Sequence, residues 1–295
     1  MNKRYIYALG VFDGVHRGHQ ALLTACRHLA QRTGCQPGAV TFGSHPDALI
    51  TGNTPLLLCS VKERSALLSC YLRSCDVVVL PFDEELRHQH WRDFLEMLVQ
   101  KGAAGFVCGD DFRFGFRGEG NADRLAEFCK EQQLYWAVVS GQELDGVRIS
   151  STHIRKLIEE GEMEKAVEFL GHPHSMTGTV VSGRQLGRTI GIPTANLLIP
   201  EGVVTPKFGV YACQTVIDGR SYMAVTNVGN RPTVGGHRVT IEPWILDFEG
   251  DLYGKALSLL FYKFLRPEKK FSSLETLQAE IFKNAEETRK FFENS

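Results

Sequence analysis

Short apolar runs alternate with segments of helical spacing over the first half of the chain. The apolar runs are rich in β-branched and aromatic residues and predict five strands, at 5–9, 38–42, 76–81, 105–109 and 135–139. The segments between them repeat apolar residues every three or four positions and predict helices around 18–32, 61–73, 90–101 and 121–132. Strands that alternate with helices predict an α/β domain, in which a parallel sheet carries helices on both faces. Ligands of such sheets bind beyond the carboxyl ends of the strands.

The pattern changes after a short predicted helix at 162–170 and a predicted linker, His172-Pro173-His174. Polar and apolar residues then alternate, and turns are closely spaced. This alternation favours a small antiparallel β-barrel, with strands predicted at 177–182, 209–217, 222–227, 238–248 and 256–265. A terminal helix is predicted from Ser273 onward, with an apolar face that carries Leu274, Leu277 and Ile281. The sequence therefore predicts two domains, 1–172 and 173–295.

Composition narrows the class of protein. A formal net charge of −1 over 295 residues provides no general attraction for nucleic acid or for an anionic membrane. No apolar stretch approaches the length that spans a bilayer, and the N-terminus lacks the apolar core of a signal peptide. The eight cysteines are scattered without a C-x-x-C pair, which predicts buried thiols in a reducing compartment. We expect a cytoplasmic protein with no nucleic-acid or membrane partner, either a monomer or a weak homo-oligomer.

The segment 10–19, Gly-Val-Phe-Asp-Gly-Val-His-Arg-Gly-His, lies between the first predicted strand and the first helix. Free backbone N–H groups and the helix dipole attract phosphate at such a junction. His16 and His19 are three residues apart and share one face of the helix start, while Gly18 lets a nucleotide come close. A zinc site would need further ligands at other spacings. Phosphate binding is favoured over zinc binding and over ordinary surface histidines.

Two later segments of the first domain have alternative interpretations. The glycine- and aromatic-rich loop 109–120 is either a packed hairpin tip or a loop that offers Asp110 or Asp111 to a ribose or amide. In the segment 148–155, Ser-Ser-Thr before a helix is usually a simple N-cap. The flanking Arg148 and Arg155 favour a diphosphate site instead, because guanidinium groups, hydroxyls and helix N–H groups bind phosphate together.

The second domain contains candidates of its own. Glycines at 178–191 lead to Thr194 and Asn196, which are either turn residues or oxygen ligands suited to Mg²⁺ beside phosphates. Glu242 shares a strand face with Trp244. Pro243 predicts that this strand lies at a sheet edge, because proline cannot donate a ladder hydrogen bond. From the residues alone, a solvated glutamate is the default interpretation of Glu242.

These motifs, in this order, resemble the bifunctional prokaryotic riboflavin kinase/FMN adenylyltransferase family, the FAD synthetases. The resemblance covers nearly the whole chain. The first half is carried by 10–19, Thr41-Phe42, His45-Pro46, 109–115 and 149–155, and the second half by 187–196, 209–211, 227–233, Asp247-Phe248 and 251–254. It implies a Rossmann-like nucleotidyltransferase domain and a riboflavin kinase barrel. It further implies that riboflavin and ATP give FMN, and that FMN and ATP then give FAD and pyrophosphate, with Mg²⁺ as cofactor.

The resemblance also implies roles for individual residues. His19 would be catalytic in adenylyl transfer, and Glu242 would be the general base of the kinase. The nucleotide site of the first domain would comprise Phe12, Asp13, Gly14, His16, Gly18, His19, Asp111, Arg148, Ser150, Ser151, Thr152 and Arg155. The ATP and flavin site of the kinase would comprise Gly183, Gly187, Arg188, Gly191, Pro193, Thr194, Asn196, Asn227 and Arg231, with Thr194 and Asn196 holding Mg²⁺.

Two positions depart from the family pattern. Val11 stands where the family commonly has Asn, and Trp244 stands where a Glu-x-His pattern would place His. Two alternative functions follow. The chain could be an FMN adenylyltransferase whose kinase domain binds flavin without turnover, or a nucleotidyltransferase for another phosphorylated acceptor.

Overall fold

The computed structural model describes residues 4–74, 76–183, 191–233 and 236–294, and at 231–233 and 236–238 only the backbone. The chain divides into two compact units, Met1–Ser151 and Thr152–Ser295. Each unit is built as the hydrophobic pattern predicts. Within the described residues, no helix has both the length and the apolar character needed to cross a membrane.

The first unit contains a five-stranded parallel sheet of order β3-β2-β1-β4-β5. Its strands are β1 Tyr5–Leu9, β2 Gln36–Phe42, β3 Val77–Leu80, β4 Ala103–Gly109 and β5 Tyr135–Val139. All five predicted strands are therefore confirmed. Because β1 lies at the centre, the segment that follows it emerges at the middle of the carboxyl edge.

Helices cover both faces of this sheet. They are α1 Arg17–Thr33, α2 Pro46–Ile50, α3 Val61–Leu72, α4 Glu84–His88, α5 Trp91–Gln100 and α6 Ala122–Glu131. Ile6 and Ala8 of β1 belong to the core cluster with α1 and α3, whereas Tyr7 and Leu9 belong to the cluster with α5 and α6. The four predicted helices are confirmed, while α2 and α4 are too short to show a helical period. A two-stranded hairpin, β6 Glu143–Leu144 and β7 Val147–Arg148, follows β5.

The second unit is a closed barrel with a terminal helix. Helix α7, Ser151–Glu160, begins at the last residue of the first unit and is followed by α8, Met163–Leu170. The barrel strands are β8 His174–Val181, β9 Asn196–Leu198, β10 Gly209–Ile217, β11 Arg220–Thr233, β12 Gly236–Ile245 and β13 Ala256–Pro267, in the order β10-β11-β12-β9-β8-β13. Ser273 caps the terminal helix α9, Leu274–Glu293. The predicted barrel and helix are confirmed.

Two local expectations are wrong. His174 belongs to β8 and is buried, so the predicted linker ends before it. The strand that contains Pro243 is not at an edge, because β12 pairs with both β11 and β9. Pro243 needs no N–H there, and its carbonyl accepts a hydrogen bond from the Ala195 N–H at 3.0 Å. Neither fact is visible in a local pattern, because both depend on how the barrel closes.

Buried His174 makes the barrel sensitive to acid. Burial, with a smaller effect of His172, lowers the pKa of His174 to about 3, and its Nε2 has no hydrogen-bond partner among the described residues. The unfolded chain binds a proton near pH 6.5 that the folded chain does not, so stability falls as the pH drops below 6.5. We expect a loss of about 2 kcal/mol between pH 7.5 and pH 5 from this residue.

Hydrogen exchange of the β8 amides in the full chain measures this effect. His174→Phe removes the titrating ring and should make the unfolding free energy less dependent on pH over that range. An equal pH dependence in the variant and the unsubstituted protein would contradict the assignment.

Candidate active sites

The segment between β1 and α1 has a strained backbone. Phe12, Gly14 and Val15 have φ values of 56°, 73° and 41°. Glycine adopts this left-handed region readily, but a β-branched residue such as Val15 does so rarely. Strained positions cost about 1–3 kcal/mol each and persist where the surrounding structure over-determines them. The segment 10–16 is called the phosphate turn below.

Buried side chains hold the first part of the phosphate turn. The carbonyl oxygen of Val11 accepts hydrogen bonds from Thr41 Oγ1 at 2.8 Å and from Arg64 Nη1 at 3.0 Å. Arg64 also donates through Nη2 to the carbonyl oxygen of Phe42, the last residue of β2. Both Thr41 and Arg64 are fully buried. The turn is therefore anchored to β2 and α3.

Three further hydrogen bonds hold the rest of the turn. Asp13 Oδ1 accepts from the Leu58 N–H at 2.8 Å, and the Asp13 carbonyl accepts from Ser151 Oγ at 3.0 Å. Gln20 Nε2 donates to the Val15 carbonyl at 2.9 Å. Asp13 and Ser151, both expected at the nucleotide site, thus make contacts that shape the turn.

His16 caps α1 and fixes its own tautomer. Its Nδ1 accepts a hydrogen bond from the His19 N–H at 3.3 Å. The proton of neutral His16 is then on Nε2, which leaves that atom as a donor. A Cβ on Gly18 would lie 3.2 Å from the His16 ring, so the glycine also makes room for this ring.

His19 stacks on His16 with ring centroids 3.6 Å apart and an interplanar angle of 13°. On another side the edge of Phe12 contacts it, with centroids 5.2 Å apart. Burial lowers the pKa of His19 well below its ordinary value, and His16 and Arg64 lower it further. His19 is therefore neutral at physiological pH, and its ring keeps one N–H donor.

Asp111 and Arg148 form an ion pair in the first unit. Arg148 Nη2 lies 2.6 Å from Asp111 Oδ2, and both side chains are exposed. Exposed pairs contribute little stability, so Arg148 can exchange this carboxylate for a phosphate at small cost. In the same loop, Phe114 is buried in the core cluster. Phe112 packs against the same cluster, so these two rings point inward, as in a packed tip, while the carboxylates of Asp110 and Asp111 stay accessible.

The remaining candidates of the first domain lie around the start of α7. Ser150 precedes this helix, and Ser151 is its first residue. Thr152 and Arg155 follow in its first turns and belong to the second unit. Thr152 is exposed and Arg155 is half-buried.

Two cavities adjoin in the second unit. The smaller cavity, of about 360 Å³, has a mostly apolar wall, and its polar lining includes Asn227 of β11 and Glu242 of β12, which come from neighbouring strands. These two residues are register partners across the strand pair. Trp244 lines the same cavity and meets the edge of Phe282 of α9, with centroids 5.6 Å apart. The predicted apolar face of the terminal helix closes this cavity with Leu274, Leu277 and Ile281.

The larger cavity, of about 590 Å³, is lined by Pro193, Thr194 and Ala195 and by the segment 248–253. Thr194 lines both cavities and forms a bridge pair with Trp244. The hydroxyl-bearing side chain of Thr194 therefore lies at the boundary between the two cavities.

Asn196 and Gly183 lie side by side. A Cβ on Gly183 would be 2.2 Å from Asn196 Nδ2, so only glycine permits this approach. Gly191 has a φ of 72°, a left-handed conformation that suits glycine. Gly187 and Arg188, also expected here, lie outside the described residues, as does the side chain of Arg231.

Two contributions were not predicted. Arg64 occupies the buried face of α3 at a four-residue spacing from Leu68 and Leu72, and a lone arginine in such a stripe is the signal that could have indicated it. The second is the segment 248–253, which lines the larger cavity. Parts of this segment were recognised from the sequence only as family motifs, and no binding role was predicted for it.

An α/β unit with a strained turn between β1 and α1, joined to a barrel with two adjoining cavities, is the architecture of a class of nucleotide-dependent transferases with two sites. The family model for FAD synthetase matches residues 1–153, and the model for riboflavin kinase matches residues 170–292. The chain belongs to the bifunctional riboflavin kinase/FMN adenylyltransferases, enzymes of FAD biosynthesis. The predicted domain boundary at 172/173 stays a prediction.

Two relatives carry the name of this family, and a solved structure with another title is similar over nearly the whole chain. The chain is 34% identical over 298 residues to the bifunctional riboflavin kinase/FMN adenylyltransferase of Listeria monocytogenes, covering 97% of this chain and 92% of that one. It is 35% identical over 296 residues to the protein of the same name from Escherichia coli K12, with 97% and 92% covered. A crystal structure described as the macrolide-efflux protein of Streptococcus pneumoniae is similar at a TM-score of 0.88 and 28% identity, covering 98% of this chain and 95% of that chain.

Proposed function

We propose that FMN adenylyl transfer takes place at the phosphate turn and riboflavin phosphorylation at the two adjoining cavities of the barrel. For the first site the supporting observation is the stacking of neutral His19 on His16 at the start of α1. For the second site it is the position of Thr194 on both cavities, one of which also holds Glu242.

Adenylyl transfer needs no side-chain nucleophile. An oxygen of the FMN phosphate forms a bond to the α-phosphorus of ATP, and the bond to pyrophosphate breaks. The N–H donors of His16 and His19, together with the free N–H groups of α1, stabilise the negative charge that develops on the phosphates. Arg148 would leave Asp111 and bind the departing pyrophosphate, with Ser150 and Ser151 completing the site within the first unit.

Riboflavin would bind in the smaller cavity, whose apolar wall and Trp244 suit a flat aromatic ring. Glu242 would take the proton from the terminal ribityl hydroxyl as its oxygen attacks the γ-phosphorus, and ADP would leave in the larger cavity. That alcohol is a poor nucleophile at neutral pH, so a positioned base is needed. Asn227, opposite Glu242, would orient the ribityl chain.

Mg²⁺ fits the donors beside the larger cavity. The hydroxyl of Thr194 and the amide oxygen of Asn196 are oxygen ligands of the kind that Mg²⁺ takes beside nucleotide phosphates. The close packing of Gly183 against the Asn196 amide holds that side chain in place. When bound, the ion neutralises charge on the phosphates.

Removal of the amide ligand should change the metal requirement of the kinase alone. For Asn196→Ala we expect half-maximal riboflavin phosphorylation at a free Mg²⁺ concentration about tenfold higher, by analogy with other changes around metal sites. The measurement is the kinase rate against free Mg²⁺ at fixed ATP, with FMN adenylylation by the same preparation as control. An unchanged Mg²⁺ curve would remove Asn196 from the metal site.

Product chromatography tests the function as a whole. The purified protein is incubated with Mg-ATP and either riboflavin or FMN. FAD from both substrates supports two active sites. FAD from FMN alone would favour an inactive kinase domain, and Trp244→His would then be the first variant to make. No product from either would point to another phosphorylated acceptor.

We also propose a cytoplasmic location and a monomer or weak homo-oligomer without a nucleic-acid partner. The support is indirect. Five described cysteines, Cys26, Cys59, Cys108, Cys129 and Cys213, are free and buried, which suits a reducing compartment. The near-zero net charge offers no general attraction for polyanions.

A further inference from the structure

Arg64 is a buried charged residue that takes no direct part in either proposed reaction. Its side chain has no exposed surface, and no described carboxylate forms an ion pair with it. A buried guanidinium is costly unless hydrogen bonds compensate it. Its hydrogen bonds go to two backbone carbonyls, while Nε has no partner among the described residues. A side chain chosen for packing alone would be apolar, like Leu68 one turn later on the same helix face.

The two carbonyls that Arg64 binds lie where the active site begins. Phe42 ends β2, and Val11 enters the phosphate turn directly before the left-handed Phe12. The planar fork of a guanidinium donates to the two acceptors from two different nitrogens, whereas an ammonium group has a single nitrogen from which to reach both. Arg64 therefore fixes the distance between the ends of two neighbouring strands at the point from which the turn departs.

The strain in the turn gives a function to the two hydrogen bonds that Arg64 donates. Left-handed Phe12 and Val15 are unfavourable for their residue types and relax when their supports are removed. Relaxation would move His16 from the start of α1 and separate it from His19. Such a displacement would lower the rate of adenylyl transfer steeply, because the N–H donors must match the positions of the transition-state oxygens.

We propose that Arg64 is a positioning residue of adenylyl transfer, whose fork holds the strained phosphate turn in the shape that presents His16 and His19 to the ATP phosphates. This inference rests on the proposed placement of adenylyl transfer at the turn. Arg64 itself does not contact the substrates. Its effect is exerted through Val11 and Phe42.

The test compares Arg64→Met, which keeps the volume without donors, and Arg64→Lys, which keeps the charge but replaces the two-nitrogen fork with a single nitrogen. Leu72→Ala, at the end of the same helix, is the matched control because it weakens the same core at a position about two helical turns from Arg64. The kcat and the KM for ATP of FMN adenylylation are measured per folded molecule, with riboflavin phosphorylation in the same preparation as the folding standard.

We expect kcat of adenylylation to fall about 100-fold in Arg64→Met and about tenfold in Arg64→Lys, with KM for ATP changed less than about threefold. Leu72→Ala should lower the unfolding temperature but leave kcat per folded molecule unchanged. A wild-type kcat in Arg64→Met, or an equal loss in Leu72→Ala, would overturn the proposal. If Arg64→Met does not fold, the partial activity expected of Arg64→Lys carries the test. Failure of the proposed function would instead appear as His19→Ala with normal adenylylation.

Discussion

Replacement of His19 by alanine is expected to lower the rate of FMN adenylylation by about 10²–10³-fold, the usual loss for one donor to a developing oxyanion. The ring stacks on His16 and keeps one N–H as a neutral donor. Its removal takes away that donor and the surface against which His16 is held. The measurement is the initial rate of FAD formation from FMN and Mg-ATP.

Riboflavin phosphorylation by the same preparation should be nearly unchanged, since it takes place in the barrel. His28→Ala, an exposed histidine on the same helix, is the matched control and should retain both activities. Equal loss of both activities in His19→Ala would contradict the assignment of two separate sites.

Glu242→Gln is expected to abolish riboflavin phosphorylation within the limits of detection, because the amide cannot accept the proton of the ribityl hydroxyl. General bases contribute about 10²–10⁴-fold. The substitution is nearly isosteric, so the smaller cavity should still bind riboflavin. The measurement is FMN and ADP formation from riboflavin and Mg-ATP, together with riboflavin binding by fluorescence.

FMN adenylylation should continue at its normal rate in Glu242→Gln. Glu286→Gln changes an exposed carboxylate of the terminal helix and serves as the control for charge. If the Glu242 variant phosphorylates riboflavin at the normal rate, the general base is another group. If the Glu242→Gln variant no longer binds riboflavin, the defect lies in the cavity. A second variant, Glu242→Asp, then separates the loss of riboflavin binding from the loss of the base.

Trp244 shapes the wall of the smaller cavity, in which we propose that riboflavin binds. The indole stands on the same strand face as the glutamate and meets Phe282 of the terminal helix. The position was recognised from the sequence as a departure from the family pattern. Its partner was not, because Phe282 lies 38 positions further along the chain in a helix whose contacts the periodicity alone does not specify.

Local patterns were sufficient for most of the fold. The period of two or of three to four residues is a property of neighbouring positions, so the five strands, the four long helices, the barrel class and the terminal helix could all be predicted. The place of His16 and His19 could be predicted for the same reason, since a strand, a glycine-containing turn and a helix follow one another directly. The start of the terminal helix at Ser273 and the apolar face of that helix could likewise be predicted from local sequence.

Tertiary structure alone decided what surrounds these residues. Arg64 reaches Val11 across 53 positions, and the closure of the barrel brings the Ala195 N–H to the carbonyl of Pro243. The stacking of His19 on His16 and the burial that keeps His19 neutral depend on the same packing. Sequence by itself therefore determined the family of the chain, and with it the class of chemistry, and the elements on which the candidate residues lie. The folded core decided the strain, the protonation state and the cavity walls, because these arise from contacts between residues that no local period connects.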